Sequence, residues 1–187
     1  GRAGGAEGGP HGHRAQQEIL EARVVEVVVP GHVARLDGGH LEQFRALFGD
    51  ERAGYPEAIA RHYKFGAPAD WQESFISEYA TMHPWEDFAE CFAHYLHITD
   101  TLDTTHEAGM VLHADRVRFT GRPDIAPLES YAEVPIDRLL FDWKWIALFF
   151  NRVNAAMGKG PLYPFDISKP VADKLGFVHM VVAEVSS

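Results

Sequence analysis

The chain has 187 residues, a formal net charge of −10 at pH 7 and a hydrophobic content of 46%, with four Trp and twelve Phe. A chain of this length and apolar content can bury the core of one globular domain. The acidic balance argues against a nucleic-acid partner, because neutralising phosphates requires clustered Lys and Arg. The sequence contains no apolar run of about eighteen residues, so no membrane span is expected.

The single cysteine, Cys91, cannot form a disulfide within the chain, and its place beside Phe92 predicts a buried thiol. The first residues do not combine a cationic region with an apolar core, so no secretory signal is predicted. Both observations favour a soluble protein in the reducing cytoplasm.

Residues 1–34 differ in character from the rest. The segment Gly1–His13 is rich in Gly, which favours disorder, and His11 and His13 there could bind a metal adventitiously. The β-branched run Val24–Val29 predicts a strand, and an apolar strand without a partner strand promotes self-association. We therefore divide the chain into an atypical or disordered segment, 1–34, and a helical domain, 35–187.

From residue 40 onward, apolar residues recur with the helical period. Gly49, Gly66 and Gly158 follow three of these stretches, as expected at helix ends. Asp70 and Glu73 have the spacing of a capping box before a third helix. The pattern predicts a mainly α, bundle-like domain with helices over 40–48, 55–65, 71–82, 136–157 and from Ser168, and with little strand near the N-terminus.

The stretch Thr81–Asp100 predicts one more helix, with Pro84 at its first position and His83 as a capping residue at the corner before it. One of its faces is apolar and the other carries Glu86, Glu90, His94 and His97. The polar face is either a solvated stripe or a metal or acid–base site. The second interpretation gains weight because no Lys or Arg occurs from Thr81 to Asp115.

The less regular stretch Thr99–Pro135 contains proline-broken segments. It is either a substrate-facing loop or a plain connection, and the sequence does not separate the two interpretations.

The sequence segments YATMHPWEDFAE at 79–90 and AHYLH at 93–97 closely resemble the signature of the bacterial zinc-binding metallopeptidases of the Mx group. Flanking segments at 44–52, 61–63 and 162–165 agree with it. The resemblance covers roughly Arg35 to His179.

This resemblance implies a zincin-like helical fold, a zinc cofactor and a peptide or protein substrate. By the same resemblance, Glu86 is the acidic zinc ligand, and Glu90, one turn later, supports the site from behind the ligand. Tyr79 has the spacing of a tyrosine that stabilises the oxyanion of the tetrahedral intermediate, although a plain packing role is the alternative for this residue.

The two histidine ligands and the general base of such enzymes come from a His-Glu-x-x-His motif, which this chain does not contain. The nearest match, His106–Met110, ends in Met and lies downstream of the acidic helix, so we interpret it as a coincidence. The expected place of the motif holds Glu21–His32, which bears no resemblance to the family. We hypothesise that residues before about Arg35 derive from a shifted reading frame, and codons that cannot spell the motif in that frame would exclude this origin.

The sequence therefore predicts a member of a zinc metallopeptidase family that is truncated or inactive as written, because two ligands and the base are missing. A non-catalytic helical scaffold or protein-binding domain is the alternative. A third possibility is a metal site rebuilt from Glu90, His94 and His97 alone.

Overall fold

The computed structural model describes residues 38–116 and 124–186. This part of the chain is mainly helical, as predicted. Its helices are α1 (Gly38–Phe48), α2 (Tyr55–Phe65), α3 (Pro84–Glu107), α4 (Ile136–Ala156) and α5 (Lys169–Ser186), with single 3-10 turns at Trp71–Glu73 and Tyr79–Thr81. In the described ranges, extended pairing is limited to one antiparallel bridge between Leu112 and Ile125.

The long helix α3 is the centre of the domain. It packs against α1, α4, α5 and the Tyr79–Thr81 turn. An aromatic cluster of Phe44, Phe48, Phe88 and Phe177 joins α1, α3 and α5, with ring centroids 4.9–6.3 Å apart. Burying each ring stabilises the fold by about 1.5–3 kcal/mol, so this cluster holds the first half of α3 in place.

The sequence predicted a helix over Trp71–Met82, and this prediction was wrong. The segment forms two separate 3-10 turns. The backbone carbonyl of Ser74 accepts a hydrogen bond at 2.7 Å from Nζ of Lys174 in α5, and the Ser77 hydroxyl accepts one at 3.1 Å from the Ala80 amide. These bonds take up backbone groups that a continuous helix would use itself.

The capping box at this segment is also absent, because the side chain of Asp70 makes no capping hydrogen bond in the described structure. A third difference is the length of α3. The helix continues to Glu107, seven residues beyond the predicted end at Asp100, and Gly109 with φ +64° follows it. The irregular stretch is correspondingly shorter than the sequence suggested.

Helix α2 has the predicted bounds. It lies wholly within the described residues, and none of its side chains is buried. Tyr55, Tyr63 and Phe65 are 40%, 79% and 71% exposed. Tyr63 and Phe65 therefore face outward, whereas Ile59 and His62 are half-buried.

Cys91 is fully buried in α3, as predicted. Within the described residues, no helix combines the length and apolarity needed to cross a bilayer. The predicted strand Val24–Val29, the disordered tail and the segment of suspected altered reading frame all lie outside the described residues.

Candidate functional site

The site begins at the corner before α3. His83 caps the helix, as the sequence predicted, because its Nδ1 accepts a hydrogen bond at 3.1 Å from the Trp85 amide. Its Nε2 lies 3.1 Å from the carbonyl oxygen of Ala53 and therefore carries the proton. With both ring nitrogens engaged, His83 orients the first turn of α3 and is not available as a metal ligand.

Glu86 lies in that first turn and is fully buried. Its Oε1 accepts a short hydrogen bond from the hydroxyl of Tyr55 in α2. Its Oε2 is buried without a hydrogen-bond partner among residues 38–116 and 124–186. Burial raises the pKa of this carboxyl, and interactions with Tyr55, His83 and the Tyr79 hydroxyl oppose that shift. A buried carboxylate oxygen without a donor is costly, so this atom is the natural place for a cation or a proton.

Glu90 lies one turn further along the same face and is 3% exposed. Its Oε2 accepts a hydrogen bond at 2.7 Å from the Ser77 hydroxyl. The same hydroxyl accepts from the Ala80 amide, so Glu90 holds the turn that carries Tyr79. This connection between the helix and the preceding turn depends on residues thirteen positions apart and could not be read from local spacing.

Tyr79 is partly exposed, and its environment links it to both glutamates. Burial raises its pKa first, followed by the negative charges of Glu86 and Glu90. The structure therefore brings Tyr79, Glu86 and Glu90 together at the start of α3. The roles of these three residues remain predictions.

A buried ion pair on another face of α3 was missed by the sequence analysis. Nζ of Lys174 lies 2.6 Å from Oδ2 of Asp87, and both side chains are almost fully buried. Burial raises the pKa of Asp87 to about 6, which the ammonium group opposes. The sequence did contain a sign of this ion pair. Lys174 lies three residues after Val171 and four before Val178, on the apolar stripe of α5. A lysine at such a position needs a buried partner.

The polar stripe of α3 continues to His94, which is 3% exposed, so the solvated-stripe interpretation is wrong for Glu86, Glu90 and His94. Burial lowers the pKa of His94 to about 3, with a smaller contribution from His97, and the imidazole is neutral. Nδ1 of His94 lies 3.0 Å from the hydroxyl of Tyr163. The ring is therefore held by an aromatic side chain of the segment between α4 and α5.

The described residues do not complete a zinc site. A catalytic zinc takes three protein ligands and keeps one position open. The described part of the chain contains no group of three or more His, Cys, Asp or Glu side chains placed to hold a metal ion. The site rebuilt from Glu90, His94 and His97 is therefore not formed. Oε2 of Glu86 is a buried carboxylate oxygen that the first turn of α3 offers to zinc.

The chance match at His106–Met110 is likewise not a ligand motif. Nδ1 of His106 lies 2.9 Å from the carbonyl oxygen of Pro127, and Glu107 is exposed at the end of α3. His62, in α2, lies with Nδ1 3.4 Å from the Thr81 hydroxyl.

Comparison with known proteins places this arrangement in a family. Residues 30–181 match the family described as "Putative zinc-binding metallo-peptidase". Uncharacterized proteins of Mycobacterium bovis and Mycobacterium tuberculosis are each 44% identical over 147 residues, which cover 79% of this chain and 40% of the relative. The chain thus spans about two fifths of the length of these relatives. No solved structure matches. The match covers most of the chain, including α3 with Glu86 and Glu90, and the chain belongs to this zinc-binding metallo-peptidase family.

Proposed function

We propose that this chain carries the acidic half of a zinc metallopeptidase site, with Glu86 as the metal ligand, and that the chain as written does not hydrolyse peptides. The observation that carries the proposal is the buried Oε2 of Glu86, which has no hydrogen-bond donor in the described structure. Its Oε1 is held by Tyr55, so the carboxylate is oriented in advance. An oriented carboxylate with one unused oxygen is the arrangement expected of a ligand.

Zinc, when bound at a complete site of this kind, polarises the scissile carbonyl and acidifies a water molecule. This chain supplies neither the histidine ligands nor the glutamate base of a His-Glu-x-x-His motif. We therefore assign the described residues to binding and orientation, with no hydrolytic step.

The two neighbouring residues fit supporting roles. Glu90 holds the turn before α3 through Ser77, which fixes the approach of Tyr79 to Glu86. The raised pKa of Tyr79 keeps its hydroxyl protonated at neutral pH, as a donor to a developing oxyanion must be. A peptide or protein substrate is the partner that such a site would serve.

A second candidate is a non-catalytic helical scaffold that binds another protein. The observation that favours it is the exposed aromatic pair Tyr63 and Phe65 on α2, at 79% and 71% exposure. Aromatic side chains are enriched where proteins bind one another. The two functions predict different zinc binding, because a scaffold does not need Glu86 as a zinc ligand.

The decisive experiment measures zinc affinity by competition with a chromophoric chelator. The protein should carry His11→Ala and His13→Ala, because these two histidines could bind zinc adventitiously. We expect each chain to bind one zinc ion weakly. Glu86→Gln should lower the zinc affinity at least about tenfold, because it removes the proposed carboxylate ligand. Glu107→Gln is the matched control, being an exposed glutamate on the same helix, and should have no effect.

Peptide hydrolysis is assayed in parallel with a mixture of fluorogenic peptides. Turnover that depends on zinc and is lost in Glu86→Gln would contradict the predicted inactivity but would support Glu86 as a zinc ligand. Equal zinc affinity of Glu86→Gln and Glu107→Gln would remove the ligand assignment and favour the scaffold.

A further inference from the structure

A cavity of about 400 Å³ lies beside the second half of α3, between that helix, α4 and the segment that contains Tyr163 and Phe165. His94 is its nearest lining residue to the Glu86 site, and the two residues are eight positions apart on α3. That separation corresponds to about 12 Å along the helix axis. The cavity is therefore separate from the Glu86 carboxylate.

One wall of the cavity is aromatic. The Tyr163 ring lies with its centroid 4.9 Å from Trp143 and 5.2 Å from Phe165, at interplanar angles of 87° and 64°. The Phe165 ring also contacts His94, at 4.5 Å and 79°. Ring faces of Trp, Tyr and Phe attract cations.

This wall is held in place by hydrogen bonds. The side-chain amide of Asn151 in α4 donates to the carbonyl of Tyr163 at 2.8 Å and accepts from its amide at 2.9 Å. The Tyr163 hydroxyl in turn meets Nδ1 of His94. Backbone and side chain of Tyr163 are thus both fixed, so a ligand finds the wall already formed and loses little free energy in ordering it.

The part of the lining that α3 contributes is rich in hydrogen-bond acceptors. The hydroxyls of Thr101 and Thr104 donate to the carbonyls of His97 and Asp100, at 2.6 and 2.7 Å. Each hydroxyl has one proton, which is already donated to a carbonyl. The two hydroxyl oxygens can therefore take part in further hydrogen bonds only as acceptors. Asp100 directly precedes Thr101 in the sequence and also lines the cavity. A ligand that brings several donors is favoured here.

The charges around the cavity have one sign. Among the described residues that line it there is an Asp and no Lys or Arg. Asp103 and Glu107 follow on the same helix, and the chain as a whole carries −10. The pKa of Asp103 is raised by burial and then by the neighbouring negative charges of Asp100 and Glu107, and His106 opposes this shift.

We propose that this cavity binds a guanidinium group, as carried by an arginine side chain in a peptide. The guanidinium plane stacks on aromatic rings, and its five N–H donors match the acceptors of Asp100, Thr101 and Thr104. The binding requires no metal and does not depend on the role proposed for Glu86.

The test compares N-acetyl-arginine amide with N-acetyl-citrulline amide, its uncharged counterpart of the same shape, by isothermal titration calorimetry. We expect the arginine compound to bind at least about tenfold more tightly, because a cation–π contact and one charge pair are lost with citrulline. The indole N–H of Trp143 should shift in ¹H–¹⁵N spectra with the same dissociation constant. Equal affinity for the two compounds, or no binding of either, would overturn the proposal.

Variants locate the binding. Asp100→Asn, on the surface, and Phe165→Leu, which keeps an apolar side chain without the ring, should each weaken binding about fivefold or more. Asp103→Asn and Glu107→Gln remove a charge from the same helix without touching the cavity lining and should leave the affinity within about twofold. If these controls weaken binding as much as Asp100→Asn, the attraction is a general effect of negative charge and the cavity is not the site.

Discussion

Nζ of Lys174 lies 2.6 Å from Oδ2 of Asp87, with side-chain exposures of 5% and 1%, and connects α5 to the first turn of α3. The same ammonium donates to the Ser74 carbonyl and lies 4.3 Å above the ring of Phe75. One buried cation thus joins two helices to the segment that precedes the candidate site. The position of Glu86, the residue before Asp87, depends on this contact.

Lys174→Met should lower the free energy of unfolding by about 3–5 kcal/mol, because it leaves the Asp87 charge buried without its partner. Urea denaturation at neutral pH measures this change. Lys169→Met is the control, since it breaks an ion pair with Asp173 on the exposed face of the same helix and should cost less than about 1 kcal/mol. The double variant Asp87→Leu with Lys174→Met should recover most of the loss. A loss no larger than that of the control would mean that the pair does not hold these segments together.

Tyr55 and Glu86 should be energetically coupled. Tyr55→Phe removes the hydroxyl that Oε1 of Glu86 accepts from, and Glu86→Gln alters the acceptor. A double-mutant cycle on the free energy of unfolding should give a coupling of about 1.5–3 kcal/mol, the range for a hydrogen bond to a charged group. Tyr63→Phe, on the exposed part of the same helix, should show no coupling to Glu86→Gln. Additive effects of Tyr55→Phe and Glu86→Gln would show that the carboxylate is not oriented by α2.

The aromatic residues of α1 and α2 should differ sharply in their effect on stability. Phe44→Ala removes a fully buried ring from the core cluster and should cost about 3–5 kcal/mol. Phe65→Ala removes a ring that is 71% exposed and should change stability by less than about 0.5 kcal/mol. Thermal or urea denaturation of the two variants makes the comparison. A large loss in Phe65→Ala would indicate that a surface covers α2 in the intact protein.

His94 should make the protein sensitive to acid. Its pKa in the folded state is lowered to about 3 by burial, whereas an unfolded histidine titrates near pH 6.5. Between these values the unfolded chain binds the proton and the folded chain does not, so stability falls as the pH decreases from about 6.5 toward about 3. His94→Gln, which cannot ionise, should flatten this part of the stability curve. The exposed His97→Gln should retain the slope, and an unchanged slope in His94→Gln would assign the acid sensitivity to other groups.

The helices of the domain follow from local rules. The bounds of α1, α2 and α4, each followed by a glycine, and the start of α5 agree within two residues with the prediction from apolar periodicity. The cap at His83 and the start at Pro84 were also predicted, because a proline without an amide proton suits a first helical turn. The sequence motif at the start of α3, which contains Glu86 and Glu90, was sufficient to identify the family. A motif on a single helix keeps its residue spacing in any surroundings.

Burial and long-range partners were decided by the tertiary structure. The sequence could not show that Glu86 receives a hydrogen bond from Tyr55, thirty-one residues earlier, or that Asp87 pairs with Lys174. The sequence also wrongly predicted a helix over Trp71–Met82. In that segment Lys174 of α5 and the Ser77 hydroxyl bind backbone groups that a continuous helix would use itself. Periodicity reports which side chains share a face of a helix, and it carries no information on what that face meets. Packing makes the acidic face of α3 a buried site and leaves Tyr63 and Phe65 of α2 exposed, because burial depends on segments that are distant in the chain.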